Sequence, residues 1–200
     1  ILIGLGQPAA TALVADFWNN ADWERRSLIL RTLTRVPATA APMLTSFLTD
    51  TESLAPIKPD TLALLVLGLS QMGEAGAKGL TAAAIAAPQG QVLAISALPH
   101  LGDQSGPALA AVLAAPQLVA RNENVTRELQ LGLIALGASE LPTQKEFFDR
   151  QSGEVQSRLV SGSLSSAAGA APLLVQILGD ATLLPAVRKA AAEALAQQQS

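Results

Sequence analysis

Apolar residues along this chain recur at helical spacing rather than alternating as they do in a strand. In "PAATALVADFWN", residues 8–19, Leu13, Val14 and Phe17 fall on one side of a helix, with polar or small residues elsewhere. "TLALLVLGLSQM" and "NVTRELQLGLIAL" are more continuously apolar, as a helix buried on several sides would be. Polar or Pro/Gly-bearing stretches separate such segments: "NNAD", "TESLAPIKP", "APQG", "APQLVARNEN", "RQSGE" and "GDATLLP". The pattern predicts a first helix of about 10–13 residues, a loop, and a second, more apolar helix, over and over.

The alternation has a period. "LGQPAATAL" at Leu5–Leu13 recurs as "VPATAAPML" at Val36–Leu44, "MGEAGAKGL" at Met72–Leu80 and "LGDQSGPAL" at Leu101–Leu109. "LGASELPTQ" from Leu136 keeps the start of the motif, and "SAAGAAPLL" from Ser166 keeps its end. Successive starts are 31, 36, 29, 35 and 30 residues apart, the period of stacked helix pairs. The glycine of the marker suits a helix terminus, where the backbone commonly turns left-handed. Pro107, Pro142 and Pro172 recur near the start of the first helix, where a missing N–H costs little. The predicted architecture is all-α: a right-handed α-solenoid of antiparallel helix pairs, a single array over residues 1–200. Ile1–Leu5 then reads as the last turn of a second helix, with at least one more helix upstream, and the open N-terminal end as prone to association.

Composition agrees. Half the residues are apolar, aromatics are 3%, tyrosine is absent, and small aliphatics suit close-packed helices. The net charge of −3, without a basic cluster, argues against a phosphate-backbone binder, so no nucleic acid is expected. No cysteine is present, which excludes disulfides and thiolate chemistry and fits an oxidising compartment such as a periplasm. The apolar run "LALLVLGL" at Leu62–Leu69 is far short of the roughly 20 residues of a transmembrane span.

The second helices also share a start. "AVRKAAAEALA" places Arg188 where "ERRSLILRTL" places Arg26 and "EVQSRLVSGSL" places Gln156. "DWERRSLILRTL" and "LPAVRKAAAEALA", with the recurring Leu-Gly marker, resemble HEAT-like repeats of the short bacterial type also found in phycobilin lyase subunits. The resemblance implies a curved helical-repeat surface that binds a protein partner without chemistry or cofactor. Its alternative implication is a subunit or chaperone handling a tetrapyrrole. Thr61, Gln91 and Thr126 stand where the family places arginine, so an arginine–aspartate ladder does not carry over. The fifth first helix, "ELPTQKEFFDR", departs from the pattern as well.

Candidate chemistry is sparse. Gly4, Gly6 and Ala9 fit a dinucleotide-binding turn, but the following "ERRSLILRTLTRV" has a helix pattern and no strand–helix alternation follows. His100, the single histidine, reads as a helix-terminal polar residue, and Asn124–Thr126 as a chance glycosylation triplet. Phe147 or Phe148 is expected to fill the core of the degenerate repeat. Both tryptophans, Trp18 and Trp23, share one inter-helix turn with Arg25 and Arg26, residue types that anchor interfaces. A second candidate is an apolar stripe on the second helices, Leu30, Leu65, Leu69 and Ile95, continued by Ile134, Val160 and Leu164, where an amphipathic partner helix would dock.

Overall fold

The computed structural model describes residues 7–49, 57–87, 90–115 and 123–198. Among these every regular element is helical, and no strand occurs. Twelve α-helices follow in order: α1 (Gln7–Asn19), α2 (Trp23–Leu33), α3 (Pro37–Thr49), α4 (Pro59–Ser70), α5 (Gly73–Ala86), α6 (Gln91–Ala97), α7 (Ser105–Ala114), α8 (Glu123–Ala135), α9 (Leu141–Asp149), α10 (Gly153–Arg158), α11 (Ala171–Gly179) and α12 (Pro185–Gln198). Odd-numbered helices take the place of first helices, and even-numbered that of second helices, in the about five to six repeats that the sequence period predicts. Ile1–Leu5, Gly4 and Gly6 lie outside the described residues.

Local chemistry explains the boundaries. The Asp22 carboxylate accepts from the backbone N–H of Glu24 at 2.9 Å, satisfying an otherwise free donor at the start of α2. The marker glycines Gly73, Gly102 and Gly137 have φ of +56°, +58° and +93°, the left-handed geometry anticipated for them. The third second helix is shorter than its apolar run. Pro99 ends α6 at Ala97, and Leu98–His100 follow as a tight 3₁₀ turn holding His100 at its end. α10 continues into a π-wound segment, Leu159–Leu164, rich in serine and glycine.

The chain divides into two compact units, Ile1–Gln117 and Leu118–Ser200. In the first, α1 packs on α2 and α3, α3 on α4 and α5, and α5 on α6 and α7, while α2 packs on α4 and α4 on α6. First helices therefore meet first helices and second helices meet second helices. Its core is Phe17, Leu33, Leu44, Leu48, Leu65, Leu69, Leu80, Ile95, Leu98 and Leu109, all essentially inaccessible. In the second unit α9 packs on α8 and α11, and α12 packs on α11, α10 and the π-wound segment. Phe148, Val160, Leu164, Leu173, Leu174, Ile177, Val187 and Ala191 form its core. No helix among the described residues is long and apolar enough to cross a membrane.

Candidate functional site

The tryptophan–arginine turn separates into a braced part and an exposed part. Arg26 is half-buried. Its Nε donates to the Phe17 carbonyl at 3.0 Å, and one terminal nitrogen donates to Thr61 Oγ1 at 2.7 Å. The guanidinium also lies 5.7 Å from the centre of the Phe17 ring. Arg26 is thus occupied in joining α1, α2 and α4. Trp18 stacks on Phe47 with ring centroids 4.4 Å apart and planes at 9°, and so ties α1 to α3. Arg25 pairs with Asp16 at 2.9 Å, and its hydrogen bond lowers the Asp16 pKa. Trp23 projects, 52% exposed, beside Glu24, Leu28 and Arg31, and Arg25 is exposed too but held by Asp16.

The register position of Arg26 has a common task. Gln91 Nε2 donates to the Ala84 carbonyl at 2.9 Å, and Gln156 Nε2 to the Phe148 carbonyl at 3.2 Å. Phe17, Ala84 and Phe148 each sit in the last turn of a first helix, where carbonyls lack an intrahelical partner. A long polar side chain early in the second helix caps the helix before it. Thr61 is too short to reach back and accepts from Arg26 instead. Gln91 looked like a departure from the arginine pattern, yet it and Gln156 donate to the same kind of carbonyl, and this shared register was the signal available in the sequence.

The expected apolar stripe on the second helices does not form. Leu30, Leu65, Leu69 and Ile95 are 4%, 0%, 0% and 0% exposed, and Ile134, Val160 and Leu164 are buried as well. The cause is visible at Leu30, whose Cδ2 would lie 2.9 Å from a Cβ placed on Gly68 of α4. This row points into the neighbouring second helix, so it is core. The second helices instead expose Leu28, Leu67 and Leu93.

A wide concavity among the described residues lies on the first helices. A groove of about 810 Å³ runs between α3 and α5, lined by Pro42, Thr45, Ser46, Met72, Gly79 and Ala82 among others. A second furrow of about 400 Å³, between α5 and α7, shares Glu74, Lys78 and Ala82 with it and adds Thr81, Ile85 and Ala111. The hydroxyls of this surface are already used. Thr45, Ser46, Thr49 and Thr81 donate to the carbonyls of Ala41, Met43, Thr45 and Ala77 on their own helices. Lys78 and Glu74 pair at 2.7 Å, and that hydrogen bond lowers the Glu74 pKa. What remains is a largely apolar, small-residue surface across three helices. Sequence reasoning missed it because alanine, threonine and proline at these positions look like ordinary helix surface.

In the second unit, Lys145 on α9 donates to Asp149 at 2.6 Å and to Asp180, beyond α11, at 2.7 Å. Asp180 also accepts from the Thr182 hydroxyl and backbone. The hydrogen bonds from Lys145 and Thr182 hold the Asp180 carboxyl far below the usual carboxylate range. Burial pulls the Lys145 ammonium down, but hydrogen bonds to both carboxylates outweigh it and the net shift is upward. Phe148 is buried in the core as anticipated and Phe147 is half-buried. Two glutamines, Gln130 and Gln144, occupy core positions filled by aliphatic residues in most other pairs. Gln144 Nε2 reaches the Leu133 and Gly137 carbonyls at 3.0 Å each, whereas buried Gln130 Oε1 has no partner. Among the described residues no cluster of three or more His, Asp or Glu side chains could hold a metal ion. No family model, curated protein or solved structure matches this chain.

Proposed function

We propose that the chain is a HEAT-like α-solenoid acting as a non-catalytic scaffold, and that a protein partner lays an apolar segment along the first-helix face. The pattern of first helix on first helix and second on second within each unit supports stacked pairs stabilised by nearest neighbours. One observation carries the docking assignment: the two furrows flanking α5 share Glu74, Lys78 and Ala82, and their hydroxyls and that ion pair are already satisfied. Such a surface recognises shape and apolar area, the helix-in-groove or peptide-in-groove mode. A tetrapyrrole would need cations for its propionates, and Lys78, the lining cation of both furrows, is paired with Glu74.

Ala82 is exposed and lines both furrows, so it is the position to probe. Ala82→Trp fills the surface without entering the core. Partner affinity is expected to fall by more than about tenfold while the melting curve is unchanged. A photo-crosslinking residue at position 82 is expected to capture one apolar protein segment, and one at position 67 on the opposite helices is not. Capture of small molecules alone, an absorbance shift on adding bilin, or measurable turnover overturns the proposal.

A further inference from the structure

The three first helices beside the furrows lack the charged outer face of an ordinary surface helix. α3 and α7 contain no charged residue, and α5 contains only Glu74 and Lys78. Exposed on them are Ala38, Pro42 and Ser46 of α3, Ala82 of α5, and Pro107 and Ala111 of α7. α9, a first helix outside this surface, exposes Glu146 and Asp149 instead. A helix without a charged face belongs in an interior or under a partner, so the composition itself points to an occupant.

The chemistry of the α3–α5 furrow specifies the occupant's backbone. Beyond their first turns, the backbone N–H groups of α3 and α5 are bonded within their own helices. The hydroxyl protons of Thr45, Ser46 and Thr49 go to the Ala41, Met43 and Thr45 carbonyls, and Lys78 is held by Glu74. An extended segment laid here would bury peptide carbonyls that find no donor. Strand addition needs a sheet edge, and no strand occurs among the described residues. Proline-rich segments dock between aromatic side chains, and none lines this furrow among the described residues. An α-helix satisfies its own backbone and presents only side chains.

We infer that the occupant is an amphipathic α-helix of another protein, lying along the α3–α5 furrow with large aliphatic side chains at i, i+3 or i+4, and i+7 on one uncharged stripe. This rests on the docking surface proposed above and names what docks there. The lining runs from Pro37 to Thr49, the 13 residues of α3, or about 20 Å, so three turns or more make contact. Ala75, Gly79 and Ala82 form holes on the α5 side, which large side chains fill as knobs. Charge complementarity sets the stripe. Among the described residues the furrow's charges are Lys78 and Glu74, which neutralise each other at 2.7 Å. A charged group on the stripe would therefore lose water and gain no partner. A second copy does not supply this helix, because no helix among the described residues exposes large aliphatic side chains at three such places.

The test selects binders to the full chain from random peptides of about 16 residues, long enough for four helical turns. Each binder is then measured against Ala82→Trp and, on the opposite wall, Ser46→Trp, with thermal melts checking that both variants fold. Binders that lose at least about tenfold in affinity on either variant are expected to carry aliphatic residues at i, i+3 or i+4, and i+7. Proline at a central position off the stripe is expected to weaken them by about 100-fold, and lysine on the stripe by at least about tenfold. Variant-sensitive binders with aliphatic residues at i, i+2 and i+4, with proline-rich sequences, or indifferent to central proline overturn this inference and leave the docking surface standing. If no binder responds to either variant, the docking surface fails, and this inference with it.

Discussion

Gly76→Ala isolates a close approach that holds the first unit together. Gly76 lies in the first turn of α5, where the chain has just reversed from α4. A Cβ there would meet the Leu69 carbonyl oxygen at 1.8 Å, the Leu69 carbonyl carbon at 2.8 Å and Met72 Cβ at 2.9 Å. Two of these are backbone atoms, so no rotamer change relieves the contact. α5 must instead move from the end of α4 by more than about 1 Å, which for an overpacked core costs about 1–3 kcal/mol. The Leu69 carbonyl also accepts from Met72 N–H at 3.0 Å, and distorting that turn puts about 0.5–1.5 kcal/mol at risk. Alanine's better helix propensity returns about 0.5–1 kcal/mol. The net expectation is a loss of about 1–3 kcal/mol, or about 3–10 °C in the melting midpoint for a chain of this size. Gly106→Ala is the control, because a Cβ at that helical glycine meets nothing within 4 Å. It is expected to stabilise by about 0.5–1 kcal/mol. Urea titration monitored by far-UV circular dichroism, with thermal melts alongside, measures both. If Gly76→Ala proves as stable as the parent chain, the α4–α5 approach described here is wrong.

Two further outcomes follow from the second unit. Gln130→Leu removes a buried oxygen that has no partner and restores an aliphatic residue to that row. It should gain about 1 kcal/mol in denaturant titrations, whereas Gln144→Leu forfeits bonds to two carbonyls and should lose about 1–2 kcal/mol. The Asp180 carboxyl is depressed in the folded chain, so its contribution is complete above the ordinary carboxylate pKa of about 3.9 and disappears as pH falls below it. Lys145 is raised, so its share is complete below about 10.4 and disappears above. Melting midpoints of Asp180→Asn should therefore show a shallower decline than the parent's between pH 4 and 2, and equal slopes would remove the Lys145–Asp180 link.

What the chain determines by itself is local. Helical periodicity and the left-handed marker glycines are read from neighbours a few residues apart, and the helices and Gly73, Gly102 and Gly137 appear where the pattern places them. The Asp22 cap and the break at Pro99 are equally local but came into view only with the structure. The shared start of the second helices was legible too, because a side chain that caps the preceding first helix must recur at one register. Tertiary packing decided which side of each helix is free. Leu30, Leu65, Leu69 and Ile95 are as apolar as Leu28, Leu67 and Leu93, and nothing in periodicity separates the first set, which is buried, from the second, which is exposed. The distinction comes from neighbours about 35 residues away, as when Gly68 leaves room for Leu30. The groove beside α5 arose the same way. Its alanines and back-bonded threonines carry no signal until three first helices lie side by side, because an apolar surface is recognised by its extent and not by any one residue in it.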